Sequence, residues 1–89
     1  MAETIVGAWT PLEPINPEAK EIFEELKFPL GVAYQPLLFA KQLVNGLNWL
    51  FIANAHAVYP GATTYPVEIL AYQPPGQKPH VQTIIKMPR

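Results

Sequence analysis

The chain has 89 residues, 49% of them apolar and 15% charged, and a formal net charge of −1. That length predicts a single domain over residues 1–89, with a modest core and much exposed surface. The near-neutral charge, with one Arg and five scattered Lys, gives no electrostatic footprint for nucleic acid. No apolar run is long enough to cross a bilayer, so no membrane partner is expected; the nearest, Leu47–Tyr59, is interrupted by Asn48, Asn54 and His56. Met1-Ala2-Glu3-Thr4 has neither a basic nor a hydrophobic signal region, and there is no Cys, so the expected location is cytoplasmic. Ser and Asp are absent as well, which leaves Thr, Tyr, Lys and Glu as side-chain nucleophiles. His56 and His80 lie 24 residues apart with no carboxylate beside either. No enzyme activity, no cofactor and no metal site is therefore expected.

In chain order, Ile5-Val6-Gly7-Ala8-Trp9-Thr10 suggests an extended arm joining a first strand, the plain alternative being a loose terminus. The prolines of Pro11-Leu12-Glu13-Pro14-Ile15-Asn16-Pro17 keep an irregular connection extended. Asn16-Pro17 marks a helix start, with a favoured N-cap followed by the residue favoured at the first helical position. Glu18 and Glu21 suit the positive end of the helix dipole. Ala19, Ile22, Phe23 and Leu26 make one face apolar, and Lys20, Glu21, Glu24, Glu25 and Lys27 form a solvated face opposite. Phe28-Pro29-Leu30-Gly31 ends or kinks the helix. Either the helix is short, or it resumes through Val32-Ala33-Tyr34-Gln35.

From Pro36 the pattern is β. Leu37–Leu43 leads into a tight turn, where Asn45-Gly46 offers residues suited to positive φ. Leu47–Tyr59 is the return strand, long enough to need a bulge or bend. Its apolar residues fall on both parities (Trp49 and Phe51, Leu50 and Ile52), so alternation leaves its inner face open. Pro60-Gly61-Ala62 is a turn. Tyr65–Tyr72 follows as a strand carrying Val67, Ile69 and Ala71 on one face, with Pro66 marking an edge position or a strand start. In the loop Gln73–Pro79, Pro75-Gly76 fits a type II turn. His80–Met87 is the last strand. Trp9 and Trp49 are expected as core or half-core aromatics. The two His are expected as strand residues facing solvent or a hydrogen-bond partner. The sum is an α+β fold with one helix across an antiparallel sheet.

Three segments, in order, resemble the cystatin family of papain-like cysteine protease inhibitors: Gly7 after Ile5-Val6; Gln42, Val44 and Gly46 in a Gln-x-Val-x-Gly pattern; and Pro74-Pro75-Gly76-Gln77. The last is similar to the second loop of the intracellular stefins, while Trp9 is closer to plant and bacterial members. The chain departs from the family between Pro17 and Gln42, where it is about two helical turns short. The resemblance implies a cystatin-like fold, one helix on a sheet of about four or five antiparallel strands. It also implies reversible, non-covalent inhibition, with an arm and two hairpin loops plugging a protease cleft. Ile5, Val6 and Gly7 would form the arm; Gln42, Leu43, Val44, Asn45 and Gly46 the centre; Pro74, Pro75, Gly76 and Gln77 the primed side. Gly46 would serve through its positive φ and by letting the enzyme surface approach closely. The expected partner is a papain-like protease, the expected state a monomer, with domain swapping through the first hairpin as a hazard. The alternative is an interaction or self-assembly domain that keeps the turns without inhibiting.

Overall fold

The computed structural model describes residues 7–87. Its elements are β1 (Glu13–Pro14), α1 (Pro17–Glu25), β2 (Val32–Val44), β3 (Gly46–Ala57), β4 (Thr64–Gln73) and β5 (His80–Lys86). The five strands form one antiparallel sheet in the order β1-β2-β3-β4-β5, so every neighbour in the sheet from β2 onward is also a neighbour in sequence. The fold is therefore a small α+β arrangement of one helix and a five-stranded antiparallel sheet. Ile5 and Val6 lie outside the described residues.

The helix starts where its capping chemistry places it. Asn16 is extended and its side-chain oxygen accepts the Ala19 N–H at 2.7 Å, with Pro17 filling the first turn. It ends at Glu25, three residues before Phe28-Pro29. Leu26 turns extended (φ −73°, ψ 145°) and its N–H closes on the Phe23 carbonyl. The last turn carries Glu24 and Glu25 with no basic residue, so the dipole favours no further turn. Ala19, Ile22, Phe23 and Leu26 are all buried, and the charged face is exposed. Helix does not resume after Gly31. Val32–Gln35 is strand, paired residue for residue with Ala57–Asn54. Gly31 takes φ +88° to turn the chain into β2, and the long β3 finds a partner of matching length only if β2 begins at Val32.

The irregularity expected in the return strand sits in its partner instead. β2 has 13 residues against 12 in β3, and the extra residue is Leu37, between Pro36 (opposite Ala53) and Leu38 (opposite Ile52). A bulge fits next to Pro36, which has no N–H to give the ladder. It switches the parity of the strand: Val32 and Tyr34 pack toward the helix side before it, Phe39 after it. A second shift, between Leu70 and Ala71, leaves Gln82 of β5 as the extra residue. Pro66 marks the start of β4, an interior strand, rather than an edge.

Packing against the helix selects the inner face of β3. Trp49, Phe51, Ala53 and Ala55 are buried, as are Val67, Ile69 and Ala71 of β4, while Leu50, Ile52 and Leu70 stay half-buried on the other face. Phe23 meets Phe51 edge-on at 5.1 Å between ring centroids, and Phe51 stacks with Trp49 at 6.0 Å. The chain returning from the helix adds Phe28, which lies between Phe23 at 5.0 Å and Tyr34 at 4.6 Å. Such aromatic contacts each add about 0.5–1.5 kcal/mol beyond area burial.

Candidate functional site

Before α1 the chain runs along the free edge of β2. Trp9 bridges Gln42, the Gly7 N–H donates to the Leu43 carbonyl at 2.8 Å, and the Thr10 N–H donates to the Lys41 carbonyl at 2.8 Å. Thr10 also accepts the Lys41 N–H on its hydroxyl at 2.8 Å. Of the arm expected over Ile5–Thr10, Gly7–Thr10 lies within the described residues, where Trp9 makes an isolated bridge; among the described residues regular pairing begins at Glu13, opposite Phe39. Between Trp9 and Glu13 the register slips by one residue across Pro11, whose missing N–H breaks the ladder. Gly7 nevertheless lies beside the end of β2, next to the first hairpin.

That hairpin is tighter than a two-residue loop. Val44 pairs with Gly46, and Asn45 alone forms the tip. Gln42, Leu43 and Val44 are strand residues, paired with Asn48, Leu47 and Gly46. Only Gly46 takes positive φ, at +100°, and Asn45 does not, so the two-residue positive-φ turn is not formed. The second loop turns as its sequence indicates: Gly76 has φ +69° and the Gln77 N–H donates to the Pro74 carbonyl at 3.1 Å, the closure of a turn centred on Pro75-Gly76.

The two loops are docked on each other. A Cβ added to Gly46 would collide with the Gln73 carbonyl oxygen and press on Pro75 Cδ at 3.1 Å and Pro74 Cα at 3.2 Å. Gly46 is thus required by its φ and by the second loop of its own chain; the direction of its missing side chain is already filled. The Tyr72 hydroxyl donates to the Asn45 carbonyl, and the Trp49 indole N–H donates to Gln73 Oε1 at 3.2 Å from beneath. On the other side, Gln42 Nε2 donates to the Gly7 carbonyl at 2.9 Å, and Gln42 Oε1 accepts from Asn48 Nδ2 at 2.8 Å. Gly7, the first hairpin and the second loop therefore lie side by side, in that order, across one end of the sheet.

No segment of this row carries an ionisable side chain from Gly7 to Thr10, from Gln42 to Gly46, or from Gln73 to Gln77. Among the described residues, no group of three His, Cys, Asp or Glu could hold a metal ion. His56 bonds the Thr64 hydroxyl at 3.2 Å, and His80 sits edge-on to Tyr72 at 5.8 Å. Trp49 is buried, whereas Trp9 is 43% exposed. Among the described residues, no helix is long and apolar enough to cross a membrane. The row presents backbone, amides, prolines, Trp9, the Thr10 hydroxyl and apolar side chains, a surface suited to contact by shape.

Four residues of this arrangement were not singled out by motif: Thr10, Asn48, Tyr72 and Gln73. Asn48 could have been found, since it stands as far after Asn45 as Gln42 stands before it and so faces it across a hairpin centred there. Tyr72 and Gln73 depend on the register of β4 against β3, which nothing local specifies. A scan against protein-family models, a search of curated proteins and a search of solved structures each find no match for the chain.

Proposed function

We propose that the chain is a cystatin-like, reversible and non-covalent inhibitor of papain-like cysteine proteases. The observation that supports this most directly is the side-by-side placement of three segments far apart in sequence, Gly7, Gln42–Gly46 and Pro74–Gln77, in the order a cleft-filling wedge needs. The physics is burial and preorganisation. A tip of one residue, closed by strand pairing and held by Tyr72, loses little freedom on docking. Val44 and Leu43, half-buried beside the tip, supply apolar contact, and Pro74 and Pro75 add rigid surface on the primed side. Ile5 and Val6, next to Gly7, would continue the wedge as the arm.

The test is titration of active papain with the monomer, with Val44→Asp and with a chain starting at Ala8. Val44 is the better probe of the centre, because substitution at Gly46 would break the docking of the second loop. Stoichiometric inhibition by the parent is expected. Val44→Asp should weaken it by at least about a hundredfold, since a carboxylate buried without a partner costs several kcal/mol. The shortened chain should be weaker too. A folded parent that leaves papain fully active at high micromolar concentration defeats the proposal.

The second reading, an interaction or self-assembly domain, draws on the exposed apolar side chains Leu12, Leu37 and Ile85. Size-exclusion of fresh and heated protein separates the two. Exchange of strands through the first hairpin would consume the tip, so inhibition confined to the monomer fraction fits the wedge, and equal potency in a dimer contradicts it.

A further inference from the structure

We infer that Gln42 acts as an internal clasp between the first hairpin and the arm, and that Asn48, outside the motif, is the residue that positions it. The argument is one of hydrogen-bond polarity. The Gly7 carbonyl can only accept, so the Gln42 amide must present its Nε2 there, at 2.9 Å. Gln42 Oε1 then points back along the sheet and needs a donor, which Asn48 Nδ2 supplies at 2.8 Å from the facing strand. Both ends of the Gln42 amide are committed inside the molecule. The relay Asn48 → Gln42 → Gly7 runs one way, and it ties the arm to the same hairpin that Tyr72 ties to the second loop through the Asn45 carbonyl.

The position in the sheet makes this a built arrangement. Gln42, Asn48, Tyr72 and His80 are cross-strand neighbours in one row over four strands. The next rows inward on that face are apolar over β2 and β3, Ala40-Leu50 and Leu38-Ile52, and reach Thr83 and Glu68 only on β5 and β4. The polar row lies directly behind the tip, where each loop needs holding. For the function proposed above, Gln42 then sets where the arm lies rather than touching the protease; that consequence rests on the inhibitor reading, while the clasp does not.

The experiment is amide hydrogen exchange at Gly7, whose N–H donates to the Leu43 carbonyl at 2.8 Å, measured on the chain free of protease. Asn48→Asp keeps the size of the side chain and removes its donor. Gln42 must then turn Nε2 toward the carboxylate, bringing Oε1 against the Gly7 carbonyl, or leave Oε1 facing an acceptor. Gln42→Glu places an acceptor toward Gly7 with Asn48 intact, and decides the matter should Asn48→Asp fold poorly. Both variants should speed exchange at Gly7 at least about fivefold, the size of one ordinary hydrogen bond, with Phe51 and Ile69 in the core unchanged. Exchange at Gly7 that is unprotected in the parent, or unaltered in both variants, overturns the clasp. In papain titrations both variants should raise the dissociation rate by a similar factor, with no added effect on a chain starting at Ala8. A parent that fails to inhibit papain while Gly7 responds as described removes the inhibitor reading and leaves the clasp standing.

Discussion

The two ends of the sheet reverse the chain with the same local chemistry and differ in what that chemistry is packed against. At the far end, Tyr59-Pro60-Gly61-Ala62 closes with the Ala62 N–H on the Tyr59 carbonyl at 3.2 Å, and Gly61 takes φ +79°. Nothing lies within 4 Å of where a Gly61 side chain would project, and Val58 and Tyr59 beside it are each 65% exposed. At the near end, Gly46 takes φ +100° and is covered by the backbone of the second loop. Gly61 thus does one job at the far end and Gly46 two at the near end. The far turn reverses the chain; the near turn also holds three segments in fixed relation.

The comparison can be broken most sharply at the two glycines. Gly46→Ala combines a strained φ with a clash against backbone that cannot move without undocking the loops, and should cost about 3 kcal/mol or more in urea unfolding. Gly61→Ala meets only the backbone strain and should cost about 1 kcal/mol. Equal costs would mean that the loops do not depend on each other. A smaller effect is expected from Tyr72→Phe, which removes the hydroxyl from the Asn45 carbonyl: about 1 kcal/mol, with faster amide exchange confined to the first hairpin and second loop. An unchanged exchange pattern would show the tip to be held by its own strand pairing alone.

Smaller still is Glu18→Gln. It removes the ion pair with Lys41 Nζ, at 3.0 Å, whose carboxylate side chain is 60% exposed. Such a pair contributes a few tenths of a kcal/mol, less in salt. Lys41 also lies 5.4 Å over the Trp49 ring, so its stem remains held without Glu18. A loss above about 1 kcal/mol would reveal a structural role for the pair that its exposure does not suggest. The far half of the sheet supplies a pH test. Burial, and secondarily the nearby Tyr65 phenol, hold the Tyr34 hydroxyl above its ordinary value of 10.0. Because the folded chain keeps that proton longer than the unfolded chain, the contribution is complete below pH 10 and fades as pH rises through the higher folded value. Urea midpoints of the parent should fall between about pH 9 and about pH 11 more steeply than those of Tyr34→Phe. Parallel slopes would place the Tyr34 hydroxyl in solvent.

Local chemistry made several features legible. Asn16-Pro17 announces the helix, and Ala19, Ile22, Phe23 and Leu26 are its buried side. Pro75-Gly76 specifies its own turn, and the strand patterns from Leu37 onward mark four strands in succession along the chain. The errors cluster where partners are distant. Val32–Gln35 could serve as helix or strand until β3 required a partner of its own length, and the bulge moved to Leu37 because the pairing of two long strands, not one strand alone, has to absorb the extra residue. Asn45 looked like half of a two-residue turn; a strand pairing that runs up to Val44 and Gly46 leaves it as the whole tip.

The candidate site divides the same way. Asn45-Gly46 and Pro75-Gly76 stand out by residue type and local spacing, because turn geometry is encoded within a few neighbours, whereas Gly7, Gln42 and Val44 stand out only through the resemblance to a family pattern. That these segments sit side by side, that Gly46 is filled from the side by Gln73, and that Gln42 is held between Asn48 and Gly7 follow from strand order and register. Those are set by contacts across 35 residues of sequence for Gln42 and Gly7, and 27 for Tyr72 and Asn45. The tight turns set the register within their own hairpins, and burial of one sheet face against the helix holds it across the sheet, since a slip of one residue would turn Trp49, Phe51, Val67 and Ile69 out of the core.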